Sequence, residues 1–299
     1  MNIAIILNGI SRKKKLFYKD IFPALQKEFT VTVFETQYAG HATELAGEAV
    51  QNKFETIIAA GGDGTLNQVL NGLLTAGTEK LPVLGLIPLG SGNDFAGAVG
   101  LTNRADHLIG LLKQNKPHPT DVGIVSCRDF DGKEKQHYFI NVCSLGMGPA
   151  TVRQMEKAPA WMGAHLRYLT SIIKTFFTHK PEQVELKTQN WNWRGAIRVL
   201  AVANGKSFGN RIYLAPDARQ DDGMFNLFVA PDVPLFRFLL FLQTLKRSKK
   251  IADPQIHYHV ADKIEVYTSE RVTIEAEGEL IGYLPAEIKM LKHRVHFLY

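Results

Sequence analysis

The sequence predicts an α/β domain with a mostly parallel sheet over residues 1–122, followed by a mainly antiparallel β-sandwich with helical insertions over residues 123–299. Three observations carry this reading. Up to about residue 120, strand-like segments that are apolar throughout alternate with amphipathic helical segments, the pattern of a parallel sheet covered on both faces. Beyond Lys116-Pro117-His118-Pro119 the apolar residues recur with period two, as in antiparallel strands. A chain of 299 residues is also long for one core and comfortable for two.

In order, strands are expected at residues 3–7, 30–35, 56–60 and 83–88. Between and after them, helices are expected at 16–29, where Phe17, Ile21, Leu25 and Phe29 repeat every four residues, at 42–50, at 66–74 and at 106–114. The second domain offers strands at 184–187, 197–203, 226–229, around Ile264 and Val266, from Val272 to Ala276, and at Val295 and Phe297. That last strand could return towards the first domain. Helical insertions are expected around Met162, Leu166, Leu169, Ile173 and Phe176, and at 235–245.

Hydrophobic residues make up 45% and charged residues 21%, the balance of a soluble globular protein. Charges interrupt every apolar stretch before the ~18 residues a membrane-spanning helix needs. The first residues read as a strand rather than an export signal, so a cytoplasmic protein is expected. Cys127 and Cys143 lack metal-ligand spacing and suit a reducing compartment. A net charge of +6 favours anionic partners: nucleotide, membrane headgroups or nucleic acid.

Chemistry concentrates in two glycine loops. Strand 56–60 runs into Gly61-Gly62-Asp63-Gly64-Thr65-Leu66-Asn67, and strand 83–88 runs into Leu89-Gly90-Ser91-Gly92-Asn93-Asp94. Glycines there let the backbone approach a phosphate and present N–H groups to it. An aspartate in each loop would repel phosphate unless a cation such as Mg²⁺ lies between them. In parallel sheets, ligands bind at the carboxyl ends of strands, where both loops fall.

Through these two loops the chain resembles the diacylglycerol/sphingosine/ceramide lipid kinase family in its small bacterial form. The likeness continues through Asp121-Val122-Gly123, Asn141-Val142-Cys143-Ser144-Leu145-Gly146 and Val202-Ala203-Asn204-Gly205. It extends to Ala215-Pro216-Asp217-Ala218-Arg219-Gln220-Asp221-Asp222-Gly223 and Glu277-Gly278-Glu279. The first glycine motif alone is less specific, being shared with NAD kinases and phosphofructokinases, whose α/β fold the first domain is expected to follow.

The resemblance implies ATP- and Mg²⁺-dependent phosphorylation of a lipid hydroxyl, diacylglycerol-like, in a cleft between the two domains. By position it implies that Gly61, Gly62, Asp63, Gly64, Thr65, Asn67 and Ser91, with Gly92 and Asn93 beside it, bind the nucleotide together with Thr36. It implies Asp63, Asp94 and Asp121 around the catalytic Mg²⁺, with Asp63 among the catalytic residues. Asp222, with the carbonyls of Arg219 and Met224, corresponds to a structural Mg²⁺ site, and Glu279 to the general base. Phosphoryl transfer is mainly positioning and charge neutralisation, which suits such a set.

Departures from the family pattern are specific. The first loop, usually Asn-Pro-x-Ser-Gly, is Asn8-Gly9-Ile10-Ser11-Arg12. Asn8 and Ser11 are retained as nucleotide-site candidates, and Lys13, Lys14 or Lys15 could compensate for the displaced proline and glycine. Ser91 stands for a threonine and Glu277 for an aspartate, and Phe208-Gly209-Asn210-Arg211 replaces a glycine triplet. For the acceptor side, residues 235–242 followed by Lys246, Arg247, Lys249 and Lys250 suit transient contact with the inner face of a membrane, as do Trp161-Met162 and Phe176-Phe177. No nucleic-acid partner is expected, and the family likeness permits a homodimer. The alternatives are an NAD-kinase-like enzyme with a small polar acceptor and a non-catalytic lipid- or nucleotide-binding regulator on the same scaffold.

Overall fold

A computed structural model describes residues 1–209 and 211–299; Asn210, one of the departures above, lies outside the described residues. The chain divides into two units, Met1–Thr120 with His293–Tyr299, and Asp121–Lys292.

In the first unit, β1 (Asn2–Leu7) pairs in parallel with β2 (Thr30–Glu35) and with β3 (Thr56–Gly61), and β3 pairs in parallel with β4 (Val83–Pro88). The chain's last strand supplies Phe297 beside Leu84, again in parallel. β3 is buried along its whole length, as a strand covered on both faces must be. One face packs Ile3, Ile5, Leu7 and Ile58 on Phe17, Leu25, Leu108 and Leu112. The helices His41–Gln51 and Asp63–Thr75 pack together closely, because a Cβ on Gly72 would lie 2.2 Å from the carbonyl oxygen of Thr43.

Two helices differ from expectation. The segment expected as one helix over 16–29 is broken into Lys14–Leu16, a wider turn at Phe17–Ile21, and Phe22–Gln26. Pro23 has no N–H to continue an α-helical ladder, and the N–H of Phe22 instead reaches back five residues to Phe17. The helix expected at 66–74 begins at Asp63, so Asp63, Gly64 and Thr65 form its first turn.

The strands of the second unit are β5 (His118–Arg128), β6 (Glu134–Phe139), β7 (Val142–Gly146), β8 (Glu182–Thr188), β9 (Asn192–Ala203), β10 (Phe225–Pro231), β11 (His257–Ala261), β12 (Lys263–Tyr267), β13 (Thr273–Ala276) and β14 (Glu279–Phe297). β5 begins and β14 ends in the first unit. The β5–β6, β8–β9, β9–β10, β10–β11, β7–β9, β7–β13, β13–β14, β8–β12 and β12–β14 pairs all run antiparallel. Among the described residues most strand pairs are therefore antiparallel, while those joining β1, β2, β3 and β4 are parallel. Leu200 and Val202 of β9 enter the sandwich core with Phe139, Phe225, Ile264 and Ile274. Ala201 and Ala203 face the other way, onto Met147, Ile172, Phe176, Leu242 and Leu245 of the helices Met147–Lys157, Gly163–Thr178 and Leu235–Lys246. The β5–β6 hairpin was not foreseen, since Glu134-Lys135-Gln136-His137 carries little apolar alternation.

Candidate active site

β3 ends at Gly61, and Gly61 sets the shape of the turn into the next helix: a Cβ there would lie 2.3 Å from Thr65 Oγ1. The carbonyl oxygen of Gly61 accepts the N–H groups of Leu89 at 2.8 Å and Gly90 at 3.1 Å. Gly62 and Gly90 then meet backbone to backbone, for a Cβ on Gly90 would lie 2.4 Å from Gly62 Cα. No side chain fits between them. The two glycine loops are thus one surface at the carboxyl ends of β3 and β4.

Asp63 ties this surface together. Its Oδ2 accepts the N–H of Asp94 at 3.0 Å, and its Oδ1 that of Phe95 at 3.1 Å, at the start of the short helix Asp94–Ala98. Burial pushes the Asp63 carboxyl above its ordinary range, and the neighbouring Asp94 charge adds to the rise. Asn93 adopts a left-handed conformation (φ 56°) and bonds Gly90 in both directions, N–H to Oδ1 at 3.1 Å and Nδ2 to the carbonyl at 2.9 Å. A Cβ on Gly92 would fall 3.3 Å from Asp63 Oδ2 and 3.8 Å from Asp94 Oδ2, so both carboxylates border the space a side chain would fill. At Gly64 a Cβ would meet no described atom within 4 Å, and Ser91 is exposed.

The first loop joins the same rim. Asn8 donates through Nδ2 to Thr65 Oγ1 at 3.1 Å, and Ser11 through Oγ to the Leu89 carbonyl at 3.1 Å. Gly9 donates its N–H to Thr36 Oγ1 at 3.0 Å, a bond that the family's proline could not make. Lys13 Nζ lies 3.4 Å from the Gly90 carbonyl, whereas Lys14 is paired with Glu35. Asn67 is buried, and Asn71 donates to its backbone and side-chain oxygens within the helix. It shapes the helix behind the loop.

In the second unit, Asp121 is fully buried and its Oδ2 accepts the N–H of Gly223 at 2.6 Å, while its own N–H bonds the Gln220 carbonyl at 2.7 Å. That carboxylate closes the 219–224 loop. Within the loop, Asp222 Oδ1 accepts the N–H of Met224 at 3.0 Å, and the Arg219 guanidinium faces Asp221 at 3.2 Å. Among the described residues no group of three or more His, Cys, Asp or Glu side chains is arranged to hold a metal ion.

Glu279 opens β14 directly after the turn at Glu277 (φ 55°) and Gly278 (φ 82°). Glu277 Oε1 accepts the N–H groups of Ile140 at 2.9 Å and Asn141 at 2.5 Å, a use for its extra methylene. The Asn141 carbonyl in turn accepts the N–H groups of Asn204 at 2.8 Å and Gly205 at 2.9 Å. Two neighbours lie outside the expected site residues, although Asn204 belongs to the Val202-Ala203-Asn204-Gly205 likeness. Glu275 is fully buried beside Ser144, and Asn204 Nδ2 bridges the carbonyls of Asp121 at 2.9 Å and Ile140 at 2.8 Å. Glu275 had a signal, a carboxylate in an otherwise apolar strand between Ile274 and Ala276.

The paired glycine loops lie at the carboxyl edge of parallel strands, the place where α/β sheets offer backbone N–H groups to a ligand. Residues 2–125 match the diacylglycerol kinase catalytic domain family, and residues 141–298 the YegS C-terminal NAD kinase beta sandwich-like domain. The diacylglycerol kinase of Bacillus subtilis (strain 168) is 31% identical over 99% of this chain and 96% of its own length. The protein named "Probable lipid kinase YegS" of Shigella flexneri is 28% identical over 96% of this chain and 92% of its own. A crystal structure from Bacillus anthracis str. Sterne covers 100% of this chain and 96% of that one, at TM-score 0.80 and 23% identity, a likeness of fold. The chain belongs to the diacylglycerol kinase/YegS family of lipid kinases.

Proposed function

We propose that the protein transfers the γ-phosphoryl group of ATP, with Mg²⁺, to the hydroxyl of a diacylglycerol-like lipid. The observation that carries this reading is the backbone contact of Gly62 with Gly90, beside the Asp63 cap of Asp94, which leaves bare backbone rather than side chains at the strand ends. Gly61 to Thr65, Ser91, Gly92 and Asn93 take the nucleotide phosphates in this reading. Asn8, Ser11 and Thr36 on the adjoining rim, and Asn67 in the helix behind it, complete the nucleotide site in this reading.

The donors fit a divalent ion: Asp63 and Asp94 border the same space beside Gly92, and hard carboxylate oxygens in ones and twos, completed by phosphate, are what Mg²⁺ prefers. Bound there, Mg²⁺ would neutralise charge on the transferring phosphoryl group. Asp121, the third carboxylate of the expected set, accepts the N–H of Gly223 within its own unit. Asp222, with the carbonyls of Arg219 and Met224, would hold a second, structural ion. Glu279 takes the proton from the acceptor hydroxyl as the new O–P bond forms.

A lipid acceptor is supported by a largely apolar cavity inside the second unit, bordered by Met147, Tyr168, Ile172, Phe238 and Leu242, with Ser144 and Arg198 also lining it. Exposed Phe177, Phe236, Leu239 and Leu240, with Lys246, Arg247 and Lys249 close in sequence, support transient contact with an anionic membrane face. No helix among the described residues is long and apolar enough to cross a membrane. The test is transfer of radiolabel from ATP to an extract of bacterial lipids. A labelled lipid whose formation requires Glu279 supports the reading. Nucleotide binding without any labelled lipid would favour a regulator, and label on a small polar acceptor the NAD-kinase-like alternative.

A further inference from the structure

We propose that Glu275 is a positioning residue: its buried carboxylate holds the turn that presents Glu279, and so sets the direction of that side chain. This rests on the reading of Glu279 as the base. In β13 the flanking Ile274 and Ala276 enter the sandwich core, while Glu275 points to the opposite face and is 0% exposed. An unpaired carboxylate in such a place is costly unless its oxygens find donors. They find two. Oε1 accepts the hydroxyl of Ser144, its cross-strand partner on β7, and Oε2 accepts the N–H of Gly278 at 2.8 Å. The helix Met147–Lys157 closes over the pair through Gly148, where a Cβ would lie 1.9 Å from Ser144 Oγ and 3.3 Å from Glu275 Oε1.

The backbone holds the turn at its ends, and the N–H of Glu277 bonds the Val142 carbonyl at 3.0 Å. Ala276 pairs with Glu279 across the two left-handed residues Glu277 and Gly278, a tight hairpin. One step earlier the β13–β14 register slips between Ile274 and Glu275, so a bulge separates the turn from the regular sheet. Side chains add further ties beyond that bulge: Glu277 bonds Ile140 and Asn141, and Glu275 bonds Gly278. The surroundings of Glu275 are Ser144 and the buried Cys143 thiol on β7, the Gly148 backbone, and Glu277 in the turn; Arg153 of the covering helix is bonded to Thr273 Oγ1 at 2.7 Å. Burial pushes the Glu275 carboxyl up to about 7, so near neutrality it changes from a double acceptor to a group that must also donate.

The test uses the full chain and Glu275→Gln, which keeps the shape and cannot titrate. The amide resonance of Gly278 should shift with a midpoint near neutrality in the wild type and stay flat in the variant. Label transfer from ATP to extracted lipids should fall about tenfold or more at saturating ATP, with KM for ATP unchanged and the near-neutral inflection gone from the pH profile. If the glutamine variant does not fold, Ser144→Ala serves: loss of the hydroxyl donor should move the Gly278 midpoint upward. A Gly278 amide whose shift and hydrogen exchange are unchanged by Glu275→Gln, or a Glu275→Gln rate matching the wild type, overturns the proposal. Glu279→Gln separates the two readings. If that variant still labels lipid at the wild-type rate, the base assignment fails, while the Gly278 amide still decides whether Glu275 holds the turn.

Discussion

Asp63 caps Asp94: the carboxylate of the first glycine loop accepts the N–H that opens the helix of the second, at 3.0 Å. One side chain therefore serves both the proposed ion and the shape of the loop that would bind phosphate. Asp63→Ala should abolish lipid phosphorylation, lowering it at least about a hundredfold, as loss of a principal electrostatic group does. It should also leave two N–H groups without their acceptor, at about 1–3 kcal/mol. Hydrogen exchange should then rise at residues 92–98 while the rest of the chain stays protected. Unchanged exchange there would mean that the cap does not hold the loop.

Gly90 and Gly64 should separate structure from ligand. Gly90→Ala places a Cβ 2.4 Å from Gly62 Cα, so the loops must part. A loss of stability of about 1–3 kcal/mol is expected, together with loss of nucleotide binding. Gly64→Ala meets no described atom within 4 Å and should melt no lower than the wild type, yet weaken ADP binding by crowding the phosphates. Calorimetry and thermal melts on the two variants decide this; equal effects on both would contradict it.

Glu277 puts its departure from the family's aspartate to structural use. Its Oε1 satisfies the N–H groups of Ile140 and Asn141, both buried residues. Glu277→Ala should destabilise the chain by about 1–3 kcal/mol in urea unfolding, and Glu277→Gln by less, because an amide oxygen still accepts. Identical unfolding curves for the two variants would contradict this role.

Stability should depend on pH around neutrality. Burial raises both Glu275 and Glu182 to about 7, for Glu182 with the charge of Glu270 adding to the rise. A raised carboxyl pKa means that the folded state binds its proton more tightly than the unfolded chain does. That contribution is full below the unfolded value near 4.5 and is lost as pH rises through 7. The melting temperature of the wild type should therefore fall between pH 6 and pH 8 by more than that of the Glu275→Gln, Glu182→Gln double variant. Parallel curves for the two proteins would contradict the assignment.

Much of this architecture could be read from residue order, for stated reasons. Apolar runs such as Ile57-Ile58-Ala59-Ala60 are buried on both faces, and a strand of that kind has few alternatives. Glycines 61, 62 and 90 were informative because only a bare backbone permits the contacts they make. What escaped was long-range and polar. Nothing local to Asp121 shows that it closes on Gly223, or that Glu275 faces Ser144, since those bonds join residues 102 and 131 positions apart. The bond from Asn71 Nδ2 to the Asn67 carbonyl follows from the helix beginning at Asp63, three residues before the apolar pattern starts. Pro23 sat within an apolar spacing of four that hid the broken helix.

The central claim is that the joined loops at Gly62 and Ser91 grip nucleotide phosphates with a divalent ion. Its most direct test is a crystal grown or soaked with ADP and Mg²⁺. The β-phosphate should lie about 3 Å from backbone N–H groups of those loops, with the ion touching Asp63 or Asp94. Nucleotide bound elsewhere on the chain, with Gly62 and Ser91 bare at saturating ADP, would contradict it.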